Sequence, residues 1–438
     1  MISHVRTVVA VVALVWHGRK AVRTRGKRSM SKPVIAAVAA LAVSVGLGMS
    51  QPALAAKTIK IGLILPYTSV NAEFAQQIDR GIELYLKLHA TEIKPYKIEL
   101  IRRDAKNADG ADAKAAAQEL LTQDKVDALI GWLYSPNAIA TAPLLNAANK
   151  LGIIVNAGTA WITQLSPDFV RTGFTMWSSG YTMGVAAAKQ LHAKTAVVAY
   201  TDYPPGKDNV DAFKAGFEAN GGKVIDSIPT GGPDKVPDFT PFFQHAENEH
   251  PDVLFQFASG PIAVAAVKTY QALGMRAAGI KLIGPGDLVQ EIYLKQMGDA
   301  AIGLITMIHY NAELDNPQNK RFVAAWKEAY GPNSLPDFSA IGGWDGAAAL
   351  VHAITETKGN LDNGKAAVKT LLGWKYDSPQ GPIEIDPSTG DIIMNEYLDE
   401  VYKDKDGKLR ERVLATYPRV KDECKVLGFG RCGKLPRR

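Results

Sequence analysis

The chain has almost no cysteine. Only Cys424 and Cys432 occur among its 438 residues, close together near the carboxyl end and far from any histidine cluster. A cysteine-based zinc site is thereby excluded. Two readings of the pair remain, a small disulfide-closed loop or two free thiols in a tail. In an oxidising compartment the disulfide is expected, contributing ~2–3 kcal/mol through chain entropy. Beyond residue 55 no apolar run is long enough to cross a bilayer. The signatures of common catalytic machinery are missing too: no glycine-rich phosphate loop, no nucleophile-elbow pentapeptide and no His-Glu-x-x-His pair. His4 and His17 lie in the first 55 residues, and His89, His192, His245, His250, His309 and His352 are scattered over expected helices and strands. The acidic turn Asp404 to Gly407 lacks the downstream Glu of a calcium loop. Neither an enzyme, a cofactor nor a metal site is expected.

Acidic residues are absent from the first 55, which hold eight of the 50 Lys and Arg and leave 42 cations against 44 anions in the remainder. The formal +6 of the whole chain therefore resides in this segment, and a nucleic-acid partner is not expected. The segment itself reads as an export signal. Met30-Ser31-Lys32 is a short basic start, Val34 to Met49 is apolar, and Ala53-Leu54-Ala55 offers small residues for a cut before Ala56. An earlier apolar run, Val8 to Val15, precedes a basic stretch from Arg19 to Arg28. Either the natural start is Met30 or the basic leader is extended, and the first is expected. Neither run reads as a retained anchor. With no Cys near the cut, a lipid anchor is unsupported, and the expected location is the periplasm.

From Ala56 onward the length suits two or three domains at ~150 residues each, and 47% hydrophobic content is ordinary for a globular chain. Strands are expected at Lys60 to Leu65, Lys97 to Arg102, Val126 to Ile130 and Ile153 to Asn156. Helices are expected between them at Ala72 to His89, Ala111 to Gln123 and Pro136 to Lys150. In the first of these helices Phe74, Ile78, Ile82, Tyr85, Leu86 and His89 recur at helical spacing. After a candidate crossover at Asp168 to Ser179 the alternation restarts. Helices fall at Tyr181 to His192, Asp208 to Asn220, Pro241 to Asn248 and Ile262 to Leu273; strands fall at Thr195 to Tyr200, Lys223 to Ile228, Val253 to Phe257 and Lys281 to Ile283. Such alternation indicates parallel sheets with right-handed crossovers. A strand at Ala301 to His309 then gives way to helices at Pro317 to Tyr330, Phe338 to Thr357 and Lys365 to Trp374, and to a hairpin over Glu396 to Thr416 turning at Asp404 to Gly407. The expected fold is α/β, with two doubly wound parallel-sheet lobes joined by a multi-strand hinge. The lobes are 56–173 plus 306–394 and 174–305 plus 395–438.

Ligands of open parallel sheets collect where strand ends turn into helix starts, whose free N–H groups carry partial positive charge. Gly131-Trp132-Leu133-Tyr134-Ser135-Pro136 has that construction, with Ser135 as N-cap and Pro136 as first helical residue; Ala258-Ser259-Gly260-Pro261 repeats it in the second lobe. Asn156 to Trp161 is a third such loop, with the Thr159 hydroxyl and the Trp161 ring. Trp132, Tyr134, Tyr67 and Phe74 fall in or just after strand-end loops and offer faces for an apolar or aromatic ligand.

The opening Lys57-Thr58-Ile59-Lys60-Ile61-Gly62-Leu63-Ile64-Leu65-Pro66 with Gly81-Ile82-Glu83-Leu84, the run Asp127 to Gly131 with Ser135, and Val197 to Tyr200 through Asp202-Tyr203 to Gly206 and Phe213 carry a resemblance, as do Asp252 to Phe255 and Leu282 to Gly284. The chain resembles the type I periplasmic solute-binding proteins of ABC transporters, in the group that includes leucine/isoleucine/valine-binding proteins. The resemblance implies two lobes closing like a flytrap on a small solute and delivery to an ABC permease in the inner membrane. It implies that Ser135 holds the ligand carboxylate, that Ala157 and Thr159 add contacts, and that Phe74 covers the ligand. The loops at Tyr203 and Ser259 close from the second lobe, and Asp287 is the nearest candidate for an ammonium partner. Three departures from the amino-acid binders stand out. Trp132 and Tyr134 are bulky, Ser259-Gly260 replaces an aromatic, and Gly284-Pro285-Gly286 shifts the register before Asp287. The expected ligand is a small amino acid or related carboxylate or amide; the alternatives are an aromatic carboxylic acid for uptake, or a sensory role presenting solute to a receptor.

Overall fold

The computed structural model describes residues 56–436; the expected export signal and its cut lie outside them. The first sheet contains β1 (Thr58–Leu65), β2 (Lys97–Asp104), β3 (Ala128–Gly131), β4 (Leu151–Ile154) and β5 (Phe169–Arg171), ordered β2-β1-β3-β4-β5 and parallel throughout. Helices α1 (Ala72–Leu88), α2 (Ala111–Glu119) and α3 (Ser135–Ala148) connect them. From Ile61 on β1 is wholly buried, which is why its apolar run does not alternate.

The second unit comprises α4 (Met176–Lys189), β6 (Thr195–Tyr200), α5 (Pro204–Glu218), β7 (Lys223–Pro229), α6 (Thr240–Asn248), β8 (Val253–Phe257), α7 (Gly260–Ala272), β9 (Lys281–Pro285), α8 (Glu291–Met297) and β10 (Ile305–Ile308). Its strands run parallel in the order β7-β6-β8-β9-β10. Next come α9 (Pro317–Tyr330), α10 (Phe338–Glu356) and α11 (Gly364–Leu371), then β11 (Lys375–Ser378), β12 (Gly381–Ile385), β13 (Ile392–Lys403), β14 (Leu409–Val420) and α12 (Glu423–Leu427). β13 lies antiparallel to β10 and pairs on β12 and β14, extending the second sheet beyond its parallel part.

The late helices return to the first lobe. α10 packs on α1 at backbone distance, since a Cβ on Gly81 would lie 2.1 Å from the Ala340 carbonyl oxygen and one on Gly343 2.2 Å from that of Ile78. Chain passes between the lobes at 172–175, at 309–316, and along β12 and β13, where the Arg171 N–H donates to the Gly390 carbonyl at 2.8 Å. The fold is that of a type I binding protein: two α/β lobes on a hinge of several strands.

Several expectations shift. The crossover placed at Asp168 to Ser179 contains β5 and the start of α4, because Thr175 caps that helix by accepting from Ser178 N–H at 3.1 Å. β10 belongs to the second sheet, so the return to the first lobe begins after Ile308 and not at 306. The short elements α8, β11, β12 and α12 were not expected. Cys424 and Cys432 are joined, with Cα atoms 5.9 Å apart. Among the described residues no helix is long and apolar enough to cross a membrane.

Candidate ligand-binding site

Facing loops at the carboxyl ends of β3 and β4 are tied together by one hydroxyl. Ser135 is the first residue of α3 and not its cap; Tyr134 holds the cap position in extended conformation. The Ser135 Oγ accepts instead from the Thr159 N–H at 3.0 Å. The Thr159 carbonyl accepts from the buried Arg171 guanidinium at 2.7 Å, while its own Oγ1 is buried without a protein partner. A hydroxyl in that condition costs stability unless something else bonds to it.

Tyr134, next to Ser135, begins a cluster of rings. Tyr134 donates to the Ser69 Oγ at 3.3 Å, and burial pushes its hydroxyl pKa up. Phe74 on α1 meets Tyr293 of α8 edge-on at 5.6 Å and Phe338 at 5.9 Å. Tyr203 stacks on Phe257 at 6.0 Å. Burial raises its hydroxyl pKa well above the usual value, helped by the nearby charges of Asp287 and Tyr134. The lobes touch at the start of α7. Gly260 takes φ +58, and a Cβ there would lie 2.2 Å from Asn71 Oδ1 and 3.4 Å from the Phe74 ring. Only glycine allows that approach. The Asn71 Oδ1 is itself buried and unpaired.

Asp287 lies in the turn after β9, 7% exposed, with Oδ2 unpaired. Burial pushes its carboxyl up to about 7, because the charged form loses hydration there. Tyr203 is close to both Asp287 and Tyr134, and Tyr134 is close to Tyr293, so these rings and the carboxyl form one cluster beside the Ser135–Thr159 loop.

Phe74, Tyr134, Tyr203 and Asp287 lie close together, and the Ser135–Thr159 tie adjoins Tyr134 in the chain. Ser259 occupies the cap position of α7 beside Gly260 but makes no side-chain cap bond. Three residues fall elsewhere. Trp132 is fully buried behind the sheet, edge-on to Phe169 at 5.3 Å; the Ala157 methyl packs in that cluster, while its N–H donates to the Trp132 carbonyl at 2.9 Å. Tyr67 donates to Asp79 Oδ2 at 2.9 Å. Trp161 lies under the Arg431 guanidinium at 3.7 Å, in a cluster with Trp177 and the disulfide. Asn71, Tyr293, Phe338 and Phe174 escaped notice in the sequence. Tyr293 sits on a seven-residue helix, too short to show periodicity, while Asn71 stands just before α1 and was open to detection.

A separate cavity of about 360 Å³ opens beside the tail, walled by residues that include Gln164, Asp386, Ser388, Lys421, Asp422 and Lys425. Its charges are largely matched internally, Lys421 with Asp386 at 3.2 Å and Lys425 with Asp391. Most of its wall comes from the segments around β12, β13 and α12, and the ring cluster at the strand ends is the stronger candidate.

The family model for periplasmic binding proteins matches residues 58–407. A Leu/Ile/Val-binding protein homolog of Brucella melitensis is 34% identical over 387 residues, covering 88% of this chain and 97% of the relative. Among solved structures, a solute-binding protein of an ABC transporter from Rhodopseudomonas palustris BisB5, in complex with 3,4-dihydroxybenzoic acid, is 39% identical with a TM-score of 0.78, covering 84% of this chain and 99% of that one. Its counterpart from R. palustris HaA2, in complex with p-hydroxybenzoic acid, is 35% identical with a TM-score of 0.80, covering 84% and 98%.

Proposed function

The chain belongs to the periplasmic binding protein family, and from that premise we propose that it captures an aromatic carboxylic acid outside the cytoplasm and presents it to an ABC permease. The observation that carries this reading is the cluster of Phe74, Tyr134, Tyr203 and Tyr293, with the unpaired Thr159 hydroxyl on one lobe and the buried Asp287 on the other. Flat ring faces favour a flat ligand. An ammonium ligand would require Asp287 to be ionised, whereas burial favours the neutral acid that bonds a hydroxyl. The two Rhodopseudomonas proteins bound to hydroxylated benzoic acids support the same ligand class.

Binding proceeds by hinge closure. Groups on both lobes contact the ligand only when closed, and those differential contacts favour the closed form. The amino-acid reading stands second, favoured by the Brucella relative's name and by a carboxyl at Asp287.

Thermal melting against a panel of ligands tests the proposal. A hydroxybenzoate at one hundred times its dissociation constant adds about 2.7 kcal/mol to the native state and raises the melting temperature, while leucine leaves it in place. A rise with leucine and none with any benzoate would transfer the assignment to amino acids.

A further inference from the structure

β9 and β10 run parallel with Ile283 opposite Ile305, Gly284 opposite Thr306 and Pro285 opposite Met307. The chains leave the sheet side by side, and a Cβ on Gly286 would lie 2.3 Å from the Ile308 side chain. The residues that follow are Asp287 and His309. Both are buried, and each keeps one polar atom without a protein partner, Asp287 Oδ2 and His309 Nδ1.

The His309 ring is part of the aromatic wall. It stacks on Phe174 at 5.2 Å and meets Phe338 edge-on at 5.8 Å. Phe338 in turn contacts Phe74, and a Cβ on Gly158, the neighbour of Thr159, would lie 3.4 Å from the Phe174 ring. Burial holds the imidazole neutral, with its pKa lowered to about 3, while a hydrogen bond to the Phe338 backbone acts against that shift. Nδ1 has no protein partner, and with the ring proton on Nε2 it is a bare acceptor. Adjacent strand ends thus present an imidazole and a carboxyl, both buried and each with an atom that lacks a protein partner.

We propose that His309, with Asp287, determines specificity by bonding a ring hydroxyl on the ligand and so selects hydroxylated over unsubstituted aromatic acids; this rests on the aromatic-acid reading above. A ligand hydroxyl gives Nδ1 the donor it lacks and shares a second hydrogen bond with the carboxyl. An unsubstituted ring edge leaves both groups buried and unpaired, and sites built to hydrogen-bond a hydroxyl reject analogues lacking it far more strongly than apolar pockets do.

Calorimetric titration of the purified chain with benzoate and with 4-hydroxybenzoate tests this. The parent should bind 4-hydroxybenzoate at least tenfold more tightly than benzoate. His309→Phe, which keeps a ring and loses the acceptor, should reduce that ratio to threefold or less; His309→Asn, which can place an amide oxygen near the Nδ1 position, should keep most of it. A packing role would change both affinities together and leave the ratio in place. If His309→Phe does not fold, His309→Leu, which also lacks an acceptor, is read the same way. A tenfold ratio surviving in the folded variant overturns the inference, as does a parent that binds both acids equally. A parent that binds neither acid overturns the aromatic-acid reading and this inference with it.

Discussion

Thr159 separates stability from binding. Its hydroxyl is buried and unpaired while its N–H is held by Ser135. Thr159→Val should leave the ligand-free melting temperature the same or slightly higher, yet weaken hydroxybenzoate binding by ~1–3 kcal/mol, the cost of a lost hydrogen bond in a dry site. Ser135→Ala should do the opposite to the free protein, lowering stability by ~1–3 kcal/mol because the buried Thr159 N–H loses its acceptor. Paired melting and calorimetry of the two variants check both. Ser135 and Thr159 were legible in the sequence because they follow strand-end runs, although Ser135 was expected as a cap and acts as a tie between loops. Trp132 and Trp161 were not separable from Tyr134. An aromatic near a strand end can turn to the cleft or behind the sheet, and apolar character alone does not say which.

Among the elements, long parallel strands and amphipathic helices were visible because they are buried on both faces or along one stripe. β5, β11 and β12 have three to five residues each, too few for a period to register, and their place is set by partners far away in sequence. The carboxyl-terminal tail shows the same dependence on distant partners. Gln164 donates to the Cys432 carbonyl at 3.1 Å, Arg431 covers Trp161, and Phe429 meets Trp177 at 5.0 Å. Trp161 and Gln164 belong to a turn following β4, whereas Trp177 lies on α4, so the tail contacts both lobes. Replacing Cys424 and Cys432 with Ser should cost ~2–3 kcal/mol by the loop-entropy argument. A urea midpoint that does not fall would assign the tail's stability to its other contacts. Gly81→Ala should cost about 1–3 kcal/mol by forcing α1 away from α10.

The whole molecule carries an unusual load of buried acid. Burial raises Asp287, Asp337, Asp345 and Asp399 to about 7 and Glu396 to about 8. A carboxyl whose folded pKa exceeds its unfolded one binds its proton more tightly in the native state. The stability it lends is complete below the unfolded pKa of ~4 and is lost as pH rises through the folded value. The urea midpoint of the ligand-free protein should therefore fall between pH 5 and pH 8, and a rise across that window would mean these groups are ionised and paired in the native state. At this scale the two-lobed plan was legible from the restart of strand–helix alternation. The antiparallel extension through β13 was not, because it joins residues near 400 to a strand near 305.

A crystal structure of the protein grown with 4-hydroxybenzoate is the most direct measurement. The expected result is the acid packed against Tyr134 and Tyr203 beside the Phe74–Tyr293 pair, its carboxylate at the Ser135–Thr159 loop and its hydroxyl at His309 and Asp287. Density for the acid away from these residues, or none at saturating ligand, would contradict it.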